Sequence, residues 1–148
     1  MQAFLLSVHV VAGILFVGPI AVATSLFPRY VPVDGPSASN ERSVGIARLL
    51  HRITRVYGLL AIAVPVIGLA LAGVQGRSTE VWIIVAMVLT AGAGGLLAVQ
   101  IAPRQRQALA APGGESELRT LAMVTGIFNL LWVIVVVLMV VHPGSRYV

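Results

Sequence analysis

His9, His51 and His142 are the imidazole groups of this chain, and with no cysteine present they carry most of its capacity to ligate a metal or haem. His9 falls about two turns inside the first apolar stretch and His142 closes the last one, which puts both on one side of a membrane. At 1.5 Å of rise per residue their depths differ by ~9 Å. His51 belongs to the opposite side. A bis-histidine haem or a copper site could therefore draw only on His9 and His142, at matched depth and facing inward. The plainer alternative is that His9 bonds to a neighbouring helix and His142 is an interfacial terminus. Histidine inside a span is uncommon enough to make His9 the first residue to mutate.

The most patterned stretch is 39–57. Arg48, Arg52 and Arg55 share one helical face at spacing i, i+4, i+7, with His51 beside them. Ile46, Leu49, Leu50 and Ile53 are assigned to the other side, and Ser39 or Asn40 to the helix cap. An amphipathic extension of this kind anchors a helix among anionic headgroups, at about 1 kcal/mol per arginine. The sharper alternative, compatible with the anchor, is a docking face for an acidic surface of a partner protein. Nucleic acid is not expected as a partner, because the basic residues fall at helix ends and no aromatic residues are interleaved for stacking.

The apolar stretches contain no Asp or Glu. Proton-coupled transport requires a titratable group in the span, usually a carboxylate, and here only His9 could serve. A small transporter is thus expected only as an oligomer. No phosphate loop, nucleophile elbow or zinc-type His/Glu spacing is present, so no enzyme is expected. The glycines of 92–95 lie mid-span, where a phosphate cradle would be unsolvated.

Their better use is packing. Ala86, Thr90, Gly94 and Ala98 recur every four residues, and small-residue stripes let helices approach closely in lipid. This stripe is expected to pack inside the bundle, as are Thr125, Gly126 and Asn129. Asn129 should find a hydrogen-bond partner on another helix, and Gln100 could act similarly or reach headgroups. Residues 133–141, VIVVVLMVV, are apolar all round and suit lipid or a flat protein partner.

These groups need elements to position them, and the composition says which. Of 148 residues, 58% are hydrophobic and only 10% charged, against ~25% charged in soluble domains, so the chain reads as one membrane domain over 1–148. Residues 1–28, 56–76, 81–103 and 120–145 carry no charge, and each exceeds the ~20 residues a spanning helix needs. Helices are placed near 3–27, 45–74, 80–101 and 119–141, with Pro19 and Pro65 as possible kinks. The first is read as a retained helix rather than a signal peptide, since no basic segment precedes it. Short connections favour an all-α, up-down-up-down four-helix bundle.

All ten basic residues are arginine. Arg29, Arg42, Arg48, Arg52, Arg55, Arg104, Arg106 and Arg119 fall on one side, and Arg77 and Arg146 on the other. This asymmetry puts both termini outside. Trp82 and Tyr147 suit the outer interface, and Tyr30 and Tyr57 the inner one.

The segments LLSVHVVAGILFVGPIAVATSLFPRY and RLLHRITRVYGLLAIAVPVIGLALAG resemble a loose group of small bacterial four-helix membrane proteins. The shared features are a histidine in the first helix, here Val8-His9-Val10, followed by a glycine, here Gly13 or Gly18. On the same features the chain is distantly similar to the membrane domain of copper-resistance proteins, although it lacks their Met- and His-rich clusters. The resemblance implies a multi-pass protein of the bacterial plasma membrane. It is compatible with an accessory subunit of a respiratory complex or supercomplex. The expectation is therefore a non-enzymatic accessory or scaffolding subunit, contacting other integral membrane subunits and anionic lipid. No cofactor is expected, and the alternative is haem or copper bound through His9.

Overall fold

A computed structural model of the chain describes residues 2–33, 42–111 and 113–143. It is all-helical, with four helices long and apolar enough to cross a membrane: α1 (Gln2–Tyr30), α2 (Val44–Val74), α3 (Val81–Ala110) and α4 (Glu115–Val141). Ser39, Asn40, Arg146 and Tyr147 lie outside the described residues. Consecutive helices run antiparallel: α1 packs along α2 and α3 along α4, while the second half of α1 also meets α4. The result is the expected four-helix bundle.

Three prolines shape the helices. A proline removes one backbone donor and crowds the carbonyl four residues back. In α1 a π-helical segment, Gly13–Val17, stands immediately before Pro19. In α3 a second one, Leu96–Ile101, precedes Pro103, and the Ala102 N–H bonds five residues back to Leu97. In α2 the turn before Pro65 tightens instead. The Ala61 carbonyl, which residue 65 has no N–H to satisfy, accepts from Val64 at 3.0 Å. Each device re-satisfies backbone groups that lipid cannot solvate.

The ends of the helices differ from expectation in informative ways. Helix α3 runs to Ala110 rather than ending near 101, and α4 starts at Glu115 rather than 119. Arg104, Arg106 and Arg119 therefore sit on helical turns, and not in a loop. Glu115 and Glu117 in the first turn of α4 complement its N-terminal dipole. Ser43 caps α2, accepting from the Ile46 N–H at 3.5 Å. Arg42 caps the other side of that connection: its Nη1 donates to the carbonyls of Val31 at 2.7 Å and Pro28 at 3.3 Å. At the opposite end, Gly76 at φ +68° closes α2. The Arg77 N–H reaches the Ala72 carbonyl at 2.9 Å and the Gly76 N–H reaches Gly73 at 3.1 Å, the paired bonds of a Schellman turn.

The largest buried cluster lies toward the arginine-rich end. Ile20, Ala23 and Phe27 of α1 meet Ala47 and Leu50 of α2, Ala93 and Ile101 of α3, and Leu121 and Phe128 of α4. The connection that follows α1 contributes too: Val31 and Val33 are buried there, and Val33 forms an isolated bridge with Gly113.

Candidate functional site

Four places hold the residues that could act, and the helices assign each a different role. His9 is buried between α1 and α2. Its ring rests against the backbone of Val64 and against Gly68, where an added Cβ would lie 2.8 Å from the imidazole Cε1. A side chain at 68 would therefore force the His9 ring to shift. The His9 Nδ1 is buried without a hydrogen-bond partner. The plainer expectation is a hydrogen bond from His9 to a neighbouring helix; the ring instead packs against the backbone of α2, and its Nδ1 makes no such bond.

His142 is engaged elsewhere. It ends α4 in the left-handed region at φ 48°, with its N–H on the Leu138 carbonyl at 3.0 Å. Its ring meets Trp82 of α3 edge-on, with centroids 4.5 Å apart. The Trp82 indole donates to the Glu80 carboxylate, which also pairs with Arg77 at 2.6 Å. The two histidines thus have separate surroundings. Among the described residues no group of three or more His, Asp or Glu side chains could hold a metal ion.

The arginine face of α2 forms as its spacing implies. Arg48, Arg52 and Arg55 are all exposed, and none has a carboxylate partner among the described residues. The remainder of that helix divides differently from expectation. Ile46 and Leu49 are exposed, and the buried stripe is Ala47, Leu50 and Thr54. The helix therefore has three faces: core, arginine, and an apolar face open to lipid.

Next to the arginines lies a polar network that sequence reasoning missed. His51 Nδ1 is 3.0 Å from Gln105 Oε1, Gln105 Nε2 donates to Thr54 Oγ1 at 3.4 Å, and Thr54 donates to the Leu50 carbonyl at 2.9 Å. Gln105 is fully buried. The available signal was its spacing: Leu97, Ile101 and Gln105 continue one face of α3 at four-residue steps. Reading Arg104 and Arg106 as loop hid it.

The small-residue stripe of α3 departs from the interior. Ala86 is buried and Thr90 half-buried, but Gly94 and Ala98 are exposed. A four-residue step overshoots the helical turn by about 40°, so three steps turn the stripe about 120° away. The face that stays inside is Ile83, Ala86, Ala93 and Ile101. Gly92, Gly94 and Gly95 are exposed, and a Cβ on any of them would meet nothing within 4 Å. Beside them, α2 and α3 part to leave a lateral groove of about 240 Å³, lined among others by Gly58, Ala61, Pro65, Ala91 and Gly94, with Phe128 and Trp132 of α4.

Asn129 finds its expected partner, donating from Nδ2 to Ser25 Oγ of α1 at 3.0 Å. Thr125 is buried as expected, whereas Gly126 faces outward. Gln100 is half-buried. Residues 133–141 face outward apart from Val135 and its partly covered neighbours. No family model, curated protein or solved structure matches this chain.

Proposed function

We propose that the protein is a non-enzymatic accessory or scaffolding subunit of a larger complex in the bacterial plasma membrane, with a respiratory assembly as the first candidate. Helix α3 docks laterally against a subunit of that complex, and the arginine-rich end faces the cytoplasmic headgroup layer. The observation that carries this reading is the outward glycine face. Each mid-helix glycine costs about 0.5–1 kcal/mol relative to alanine. Among the described residues, nothing lies within 4 Å of a Cβ added at Gly92, Gly94 or Gly95. Close approach by a helix from another subunit supplies a use for them, since small residues let backbones meet where lipid offers no hydrophobic drive.

The test is affinity purification in mild detergent of the wild type and of Gly92→Leu/Gly95→Leu. The wild type brings a membrane subunit with it, and the variant keeps its helicity but emerges alone. If the wild type emerges alone at every salt and detergent condition, and deletion leaves membrane complexes intact, the reading fails.

A second reading, haem or copper at His9, is favoured by the unpartnered Nδ1. It requires a Soret band or stoichiometric copper that is lost in His9→Ala. The contact with Gly68 weighs against it, because a haem on this ring would have to separate α1 from α2.

A further inference from the structure

The hydrogen-bond chain at the arginine-rich end has one self-consistent direction. Thr54 gives its hydroxyl proton to the Leu50 carbonyl at 2.9 Å, so its oxygen can only accept from Gln105 Nε2. That orients the amide and leaves Gln105 Oε1 as an acceptor, to which His51 Nδ1 must donate at 3.0 Å. A neutral imidazole protonated at Nδ1 holds a lone pair at Nε2. Among the described residues the buried histidine nitrogen without a partner belongs to His9. The Nε2 of half-buried His51 therefore reaches the surface, on the face it shares with Arg48, Arg52 and Arg55 at spacing i, i+3, i+4, i+7.

We propose that Arg48, His51, Arg52 and Arg55 form a headgroup site for an anionic phospholipid that carries a hydroxyl beside its phosphate, of the phosphatidylglycerol type. The guanidinium groups hold the phosphate, for which their forked donors are suited. His51 Nε2 accepts the headgroup hydroxyl, in an orientation set by the buried Gln105 and Thr54. A lipid rather than a soluble phosphate ester is the occupant because the same helix, in the turns that follow the arginines into the apolar span, exposes Val56, Leu59 and Leu60, ready for acyl chains. Gln105 is the group of α3 that hydrogen bonds bring to this region, with Arg104 and Arg106 flanking it in sequence. The site rests on the reading of this end as headgroup-facing. It is independent of the glycine face, and the two fail in different experiments.

The full chain in phosphatidylcholine nanodiscs is titrated with phosphatidylglycerol, with phosphatidylethanol of the same acyl chains, and with soluble glycerol 3-phosphate. Phosphatidylethanol carries the same charge and no hydroxyl. The wild type is expected to prefer phosphatidylglycerol over phosphatidylethanol by about threefold to tenfold, the value of one hydrogen bond. Arg48→Gln/Arg52→Gln/Arg55→Gln loses both lipids. His51→Asn keeps a donor at the Nδ1 position and lacks Nε2, so it binds both lipids equally.

Equal binding of the two lipids by the wild type overturns the proposal and needs no variant to interpret. So does a preference that survives in His51→Asn, lipid binding that survives the triple substitution, or glycerol 3-phosphate binding as tightly as the lipid.

Discussion

Gly68→Ala places one methyl group where the His9 ring already sits, 2.8 Å from its Cε1. Two effects oppose each other. Replacing a mid-helix glycine by alanine favours the helix by about 0.5–1 kcal/mol. Forcing a methyl into a filled contact costs about 1–3 kcal/mol. Because His9 is only 7% exposed, its ring has little room to withdraw, and the overpacking term wins. The single substitution should destabilise by roughly 0.5–2 kcal/mol. In a His9→Ala background the obstacle is gone, so Gly68→Ala should become neutral or stabilising by about 0.5–1 kcal/mol. The sign reversal is the signature, and the coupling it implies is about 1–3 kcal/mol. Unfolding of all four proteins in the same micelles, followed by circular dichroism, measures it. Additivity within about 0.5 kcal/mol would refute the argument that His9 is a packing wedge against the α2 backbone.

Two further predictions concern polar contacts. Arg42→Met keeps the apolar stem but removes the donor to Val31 and Pro28, and should cost about 1–2 kcal/mol. Amide exchange should rise at Val31 and Val33, and unchanged exchange at both would count against the cap. Asn129→Ala breaks the bond to Ser25 but should cost only about 0.6 kcal/mol, and at most about 1.7, because polar side chains in a membrane find other partners when unfolded. A larger loss in thermal unfolding would mean that Asn129 organises more than this one contact.

Hydropathy made the four spans legible because lipid imposes a simple rule: an uncharged stretch of sufficient length must be helical to satisfy its own backbone. The spacing of Arg48, Arg52 and Arg55 was legible for a related reason, since their helix has a polar face. The boundaries of α3 and α4 were not. Arg104 and Arg106 ended the apolar run, yet the helix continues for two further turns because Gln105 is buried against His51 and Thr54. A hydrogen bond across two helices leaves no trace in the hydropathy of either.

The same division runs through the candidate sites. The residue pattern alone determined a membrane bundle with its arginines gathered at one end, because charge and apolar length are properties of the chain itself. Only tertiary structure decided which way each apolar helix faces. In lipid both sides of such a helix are hydrophobic, so Gly94 and Ala98 carried no mark of being outside, nor did Ile46 and Leu49. Tertiary structure also separated the surroundings of His9 from those of His142. One is wedged against a glycine of α2 and the other lies across a tryptophan of α3, contacts that depend on which helices meet.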